Sequence, residues 1–461
     1  MAKLLAHGAT DVGRKRDHNE DRIFVDGELG LYLVCDGMGG HAAGEVAAQM
    51  VIDVVREAMV KACSEPAADD PEAEGNRLGD ALEAAFVEAN EAVHRHGQEQ
   101  ALARGMGTTA TGVVVHGSHA TVCHVGDSRC YLVRDGKLYQ LTDDHSWVAE
   151  MVRMGRMTAA EAMRSPQRNL LVRSVGTQPI VKVDRLPIEL VDGDTLLLCS
   201  DGLHGYFSTP SELVETVGRG QVEQLPKDLI SLACARGGHD NISAIVLRAH
   251  PSDGSGVSNR DPRQELALLG RLEMFAQLEL AELVRIRGAS SCIHYNDMEY
   301  VTRIGDKGDA LYVLVSGKAM VSAHGELLTT LHPGGHVGEM AMVDAQPRSA
   351  SVQSLGESRW LRLARQDMFR IIRRHPGLAV KLLWNLARVL SDRLRSTNTC
   401  LQARGAELRA ANEQLMRMEV NAQALVLEDP DGLLLVDEED DVVLEQTAGG
   451  SIDIIFDVGE G

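Results

Sequence analysis

The sequence predicts a two-part α+β protein: an antiparallel layered region to about residue 250, then a small β-barrel of jelly-roll type with flanking helices. Three observations predict it. Short apolar runs alternate with amphipathic helical patterns in the first region, without the regular spacing of βαβ units. The stretch Pro251–Pro262 is small, polar and Gly/Ser-rich, as flexible linkers are. Beyond it, short β runs are punctuated by Gly305, Gly308 and Gly317, as in small barrels.

Taken in order, Thr10–Asp21 is a polar loop followed by the alternating run Arg22–Val25. Leu31–Cys35 is an apolar run of strand length that stops at Asp36 and a Gly-rich turn, Gly37-Met38-Gly39-Gly40-His41. Ala42–Met59 has helical periodicity, Glu65–Gly75 is a Pro- and acid-rich loop, and Leu78–His94 is a second amphipathic helix. Thr108–Val115, Ala120–His124, Cys130–Arg134 and Lys137–Leu141 are β runs, with Asp135-Gly136 as a hairpin turn. Ser146–Met163 is a polar helical pair. Thr195–Cys199 repeats the design of Leu31–Cys35, ending in Ser200-Asp201-Gly202, and Asp240 precedes the apolar run Ile242–Leu247.

After the linker a helix is expected to run through Leu283, followed by the β runs. Arg365–Arg373 and Gly377–Leu394 are helical. Leu394, Leu401, Leu408 and Leu415 recur every seven residues and continue that helix with one apolar stripe. Its companion positions Asn398, Gly405 and Asn412 are poor, so packing back on the domain is expected before a weak homodimer seam. The expected boundaries are 1–249, linker 250–262, 263–396, a helical extension 397–427 and an acidic, disordered tail 428–461.

Composition narrows the function. The formal net charge of −21 argues against nucleic acids and anionic membranes as partners. No Lys or Arg follows Arg417, so much of that charge belongs to the tail, whose runs Leu433–Val436 and Ile452–Phe456 could add a strand to a partner. Aromatic residues are 3% of the chain, so aliphatic side chains must fill the cores. The eight cysteines show no paired spacing, which argues against a disulfide framework or a zinc site. With neither a signal core nor a span of membrane length, the expected location is cytoplasmic.

Asp36, Asp201 and Asp240 stand at separate strand ends, a pattern suited to holding a cation once the chain folds them together. Five motifs in order carry a resemblance: R-x-x-N-E-D at Arg16–Asp21, D-G-M-G-G at Asp36–Gly40, G-D-S-R at Gly126–Arg129, S-D-G at Ser200–Gly202 and D-N at Asp240-Asn241. Residues 7–248 thereby resemble the metal-dependent Ser/Thr protein phosphatases, the type 2C or PPM family. The resemblance implies a layered α-β-β-α sandwich and hydrolysis of phosphoserine and phosphothreonine in proteins. Two Mn²⁺ or Mg²⁺ ions are implied, with a third at a weaker position. Asp36 would bridge the two ions, the Gly37 carbonyl would bind one, and Asp201 and Asp240 would hold one. Glu20 and Asp21 would hold the second directly or through water, and Asp127 with Asp201 would form the third position. Oxygen-only ligands suit these hard ions. Arg16 would grip the substrate phosphate through its planar fork. Met38 stands where many family members have a His proposed as general acid, and His41 is more simply a structural hydrogen-bonder, so no acid is assigned. Asp144 through Asn169 matches the family's mobile flap. Partners implied are phosphoproteins, including Ser/Thr kinases or their targets.

In the second part, Gly308–Leu314, Gly338-Glu339-Met340-Ala341 and Pro347–Val352 resemble the phosphate-binding cassette of cyclic nucleotide-binding domains over residues 266–395. That resemblance implies Gly338 at the head of an anion-binding turn and Glu339 on the ribose hydroxyl. Arg348 would neutralise the cyclic phosphate, with Ser349 and Ala350 completing the cage. Ser349 leaves cAMP and cGMP open, with cAMP favoured. The competing reading is a catalytically inert scaffold that senses a nucleotide or another small ligand.

Overall fold

The computed structural model describes residues 3–39, 43–68, 70–100, 103–207, 209–250, 262–344, 346–427, 442–446 and 452–456. His41, the linker from 251 to 261 and most of the acidic tail lie outside them. The chain separates into two compact units, Met1–Val389 and Leu390–Gly461.

The first unit opens with β1 (Lys3–Asp11), β2 (Arg22–Asp26), β3 (Leu31–Cys35) and the short β4 (Gly37–Met38). Two long helices, α1 (Ala43–Ser64) and α2 (Pro71–Glu99), follow. Next come β5 (Gly107–Thr108), β6 (Ala110–His116), β7 (His119–Val125), β8 (Arg129–Arg134) and β9 (Lys137–Gln140). After α3 (Trp147–Arg153) and α4 (Ala159–Arg164) come β10 (Asp184–Glu189), β11 (Thr195–Cys199) and the single-turn α5 (Asp201–His204). The region closes with α6 (Pro210–Arg219), α7 (Leu225–Ala235) and β12 (Ile242–His250).

These strands form two five-stranded sheets, in the orders β1-β12-β11-β8-β9 and β10-β7-β6-β3-β2. Every pairing is antiparallel. The inner faces meet through Tyr32, Val34, Val113, Leu132, Leu196, Leu198 and Ile245. The outer faces carry helices: Leu31, Leu33 and Cys35 pack with α1 and α2, and Leu197 and Val246 with α7. Strands covered on both faces must be apolar throughout, which is why β3 and β11 read as continuous runs. Each large aliphatic side chain buried there contributes about 1.5–3 kcal/mol. This is the expected α-β-β-α sandwich.

One local expectation fails here. The acid-rich stretch expected as a loop to Gly75 is helical from Pro71, because Asp70 caps the helix by accepting from the Ala73 N–H and Pro71 suits the first turn.

The expected single helix after the linker is three pieces: α8 (Pro262–Arg271), a 3₁₀ turn at Glu273–Phe275 and α9 (Leu280–Gly288). Gln277, at φ 64°, takes a left-handed conformation that a continuing helix excludes. There follow β13 (Ser290–Tyr295), β14 (Tyr300–Thr302), β15 (Ala310–Ala323), β16 (Glu326–Leu331), β17 (His336–Val337) and β18 (Ser351–Ala364). Their path is β13-β18-β15-β16, with β14 on β18 and β17 on β15. Among the described residues this is a six-stranded sheet and not the closed barrel expected. The ladder between β15 and β18 shifts register around Leu314–Lys318, where Gly317 sits at φ 90°. Such bulges bend a sheet, so β15 pairs with β17 at one end and β16 at the other.

The sheet is followed by α10 (Arg365–Arg374) and α11 (Pro376–Leu427). Along α11, Leu394, Leu401, Leu408 and Leu415 form a stripe that is 58–71% exposed. Within the tail, β19 (Val442–Gln446) and β20 (Ile452–Phe456) pair antiparallel. Among the described residues no helix is long and apolar enough to cross a membrane.

The two halves of the first unit share a core. Leu132, Leu141 and Ile188 of the sandwich belong to one apolar cluster with Leu266, Phe275, Ile286, Leu361 and Ile371. A buried charge group lies alongside: Glu265 accepts from Arg287 at 2.5 Å and pairs with Arg359 at 3.4 Å, and Arg287 reaches Glu189 at 3.6 Å.

Candidate active site

Antiparallel pairing brings the chemistry-bearing residues to one end of the sandwich. Arg22 at the start of β2 opposes Cys35 at the end of β3, and Cys199 at the end of β11 opposes Ala244 near the start of β12. Asp21 therefore precedes β2 where Asp36 follows β3, and Asp201 follows β11 where Asp240 approaches β12. Asp127 sits in the turn between β7 and β8, and Cys199 opposes Arg129 at the start of β8. Arg16 and Glu20 lie on the loop between β1 and β2.

The backbone around Asp36 is held from both sides. Its N–H donates to the Thr109 hydroxyl at 2.9 Å, and its carbonyl accepts from the Thr109 N–H at 2.8 Å and the Thr108 hydroxyl at 2.9 Å. Gly37 is required by close approach, since a Cβ there would collide with the Gly44 carbonyl and the Glu20 backbone. Gly202 is packed as tightly against the Asn241 carbonyl. Both positions let backbone run beside backbone at the mouth of the site.

The carboxylates repel one another. Burial, then Asp21, Asp201, Asp127 and Asp240, pushes Asp36 well above the ordinary carboxylate range. Burial lifts Asp21 to about 7, although the Ser243 and Ser200 hydroxyls donate to its Oδ2 at 2.6 and 2.8 Å. Burial and Asp201 lift Asp127 to about 8. Asp201 is raised by burial and then by Asp240. Asp21 Oδ1 and Asp201 Oδ1 are buried without a hydrogen-bond partner. Among the described residues no three His, Cys, Asp or Glu side chains converge on a ready-made coordination point. Buried together, these carboxyls resist ionising side by side, a cost that protonation or a bound cation relieves. An all-oxygen donor set with orphaned buried oxygens fits hard divalent ions.

Arg16, half-exposed, donates to Asp240 at 2.9 Å. Asn241 was quoted above only as half of a motif, yet it anchors this whole edge. Its Oδ1 accepts from the Glu20 N–H at 2.8 Å, and its Nδ2 donates to the Val12 and His18 carbonyls at 3.0 and 2.9 Å. Ser200 and Ser243, which clasp Asp21, were likewise unassigned. The Ser of S-D-G was visible in sequence, but its partner Asp21 lies far along the chain.

The segment Asp144–Ser146, expected as part of a flap, is anchored at its base. Asp144 receives both forks of Arg129 at 2.8 and 2.6 Å. The buried His145 accepts from the Gly126 N–H through Nδ1 at 3.0 Å, and its own N–H donates to the Gly126 carbonyl at 2.7 Å. Its Nε2–H faces Asp184 at 3.1 Å. The turn carrying Asp127 is thus clamped from both flanks. Beyond it, Ser146 and Thr158 cap α3 and α4, which carry exposed side chains such as Met163.

In the second sheet, Gly338 follows β17 at φ 91° and lies directly against the Arg348 guanidinium. Glu339 is buried at the residue preceding the 3₁₀ turn Met340–Met342. Arg348 is buried, donates to the Ala310 carbonyl at 2.8 Å and covers the Tyr312 ring at 5.5 Å, while its Nε has no partner. Ser349 is exposed and Ala350 half-buried. The two parts of the cassette, apart in sequence, meet here.

Similarity to known proteins covers both parts of the chain. Residues 12–228 match the family model described as Protein phosphatase 2C, and residues 292–375 that of the Cyclic nucleotide-binding domain. The chain is 34% identical over 248 residues to the serine/threonine phosphatase stp of Listeria monocytogenes, covering 53% of this chain and 95% of that protein. It is 38% identical over 237 residues to the serine/threonine protein phosphatase PstP of Mycobacterium tuberculosis, covering 51% of this chain and 43% of that one. A solved structure of the PstP catalytic domain in complex with two manganese ions is similar at a TM-score of 0.47 and 34% identity, covering 54% of this chain and all of that one. The chain belongs to the protein phosphatase 2C family of serine/threonine phosphatases and carries a cyclic nucleotide-binding domain behind its catalytic region.

Proposed function

We propose that the chain removes phosphate from phosphoserine and phosphothreonine in proteins at the carboxylate cluster, and that a cyclic nucleotide bound to the second domain modulates this. The observation that carries the reading is the set of mutually raised carboxylates Asp21, Asp36, Asp127 and Asp201, two of them with orphaned buried oxygens. Asp36, the Gly37 carbonyl, Asp201 and Asp240, with Glu20 and Asp21, would hold two Mn²⁺ or Mg²⁺ ions, and Asp127 with Asp201 a third. The chemistry such ions would supply is a water of lowered pKa, oriented for in-line attack on phosphorus. The protein's own contribution is placement. Thr108 and Thr109 fix the Asp36 backbone, Ser200 and Ser243 fix Asp21, and Asn241 fixes the loop that carries Glu20. Arg16, which donates to Asp240 at 2.9 Å, would clasp the substrate phosphate through its planar fork.

Gly338, Glu339, Arg348, Ser349 and Ala350 would form the nucleotide site, with Arg348 meeting the cyclic phosphate and cAMP preferred over cGMP. The test is hydrolysis of a phosphothreonine peptide with Mn²⁺ and with EDTA, then with Mn²⁺ and increasing cAMP or cGMP. Metal-dependent turnover altered by nucleotide is the expected result. No turnover at any metal concentration makes the chain a sensing scaffold, and turnover indifferent to bound nucleotide makes the second domain a localisation module.

A further inference from the structure

The brace around the Asp127 turn does not end within the sandwich. Asp143, next to Asp144, turns its carboxylate toward the second domain. There His375, at the end of α10, meets Oδ2 at 3.1 Å, and Arg285 of α9 meets Oδ1 at 3.4 Å. Arg285 also donates to the Leu141 carbonyl at 3.1 Å. From the sandwich side, the buried His124 donates through Nε2 to the Asp143 carbonyl at 3.1 Å. Burial alone would raise Asp143, yet the His375 bond and Arg285 hold it below the ordinary carboxylate range. The residues Asp143, Asp144 and His145 are consecutive. A displacement of the first is passed through the backbone to the Arg129 fork and to the Gly126 clamp.

We propose that Arg285 and His375 are positioning residues of the phosphatase site, supplied by the cyclic nucleotide-binding domain and acting through Asp143 on the turn that carries Asp127. The inference rests on the phosphatase reading and adds the route by which the second domain reaches that site. Its geometry follows the chain of contacts. α10 continues directly from β18, the long strand whose first residues follow the Arg348 cassette. A cavity of about 390 Å³ lies along the seam, lined by Asp143, Arg285, Arg370, Arg374 and His375 among others. Asp143 is where α9 and the end of α10 both meet the sandwich through charge. Burial would raise Asp184, yet His145 and Arg173 hold it low, and the charge of Arg374 adds to the effect. The partner of His145 thus also lies in the field of α10.

The experiment uses the full chain, Mn²⁺ titrations and p-nitrophenyl phosphate, a substrate too small to read the flap. Arg285→Ala and His375→Ala are expected to raise the Mn²⁺ concentration for half-maximal rate by roughly 5–10-fold, the lower range of site-to-site coupling. KM for the substrate is expected to stay within about twofold, because the ester does not contact the brace. Arg285→Lys, which keeps the charge, should restore part of the shift. Asp143→Asn should reproduce it, and adding His375→Ala to Asp143→Asn should change nothing more, since both remove one interaction. Should the alanine variants fail to fold, Asp143→Asn carries the same comparison. Folded variants with the wild-type Mn²⁺ curve, in an active wild type, overturn the inference and leave the phosphatase reading standing. A wild type inert at every Mn²⁺ concentration overturns both.

Discussion

Asn241→Ala is the sharpest perturbation of the active-site edge. The side chain makes three hydrogen bonds, to the Glu20 N–H and to the Val12 and His18 carbonyls, at 2.8, 3.0 and 2.9 Å. It is buried, so its loss strands three backbone groups where water replaces the amide poorly. At about 1 kcal/mol net for each bond, the expected destabilisation is about 3 kcal/mol. The functional cost follows separately, because the freed loop carries both Glu20 and Arg16. A displacement near 1 Å of groups that orient a substrate can cost roughly 100-fold in rate. Urea unfolding gives the first number, and Mn²⁺-dependent hydrolysis of a phosphopeptide at saturating metal gives the second. Asn241→Asp separates the two effects, because it still accepts from Glu20 but cannot donate to the two carbonyls. If Asn241→Ala unfolds within about 0.5 kcal/mol of wild type and keeps its rate, the loop is held by something else and the reasoning fails.

Three further outcomes are expected. Asp36→Asn and Asp201→Asn should abolish turnover while melting no lower than wild type without metal, since each removes one member of a repelling cluster; near-normal rates at saturating Mn²⁺ would take that residue out of the site. Arg348→Ala should weaken cyclic nucleotide binding by at least about tenfold, the scale of losing one hydrogen bond between charged groups, measured by calorimetry. His124, buried and adjacent to His145, has its pKa lowered to about 3, below the unfolded value, so the unfolded chain binds more protons between those limits. Its contribution is therefore present above the unfolded pKa and is lost as pH falls from about 6.5, by about 1.4 kcal/mol per unit. The difference in stability between wild type and His124→Gln should accordingly shrink from pH 7 to pH 5 in urea unfolding, and a constant difference would show that His124 is not held neutral.

Much of this protein was legible one residue at a time. A carboxylate at the end of a buried strand, followed by glycine, is a local pattern, and it located Asp36 and Asp201 before any fold was known. Apolar periodicity likewise located the core strands, and the two cassette halves pointed to Gly338 and Arg348. Helix starts were legible in principle, but Asp70-Pro71 was read by its charge when its capping chemistry decided the outcome. What the sequence could not determine is held by pairs far apart in the chain: Ser243 with Asp21, Asn241 with Glu20, Glu265 with Arg359. The leucine stripe of α11 shows the converse limit, since periodicity describes a face without saying what covers it. The Gly/Ser linker marks a boundary in the sequence, but only folding places Asp143 against Arg285 and His375. Local chemistry specifies which groups can bind an ion or a phosphate. Whether those groups meet depends on register, burial and the free energy of closing the chain around a shared core, which belong to the tertiary structure alone.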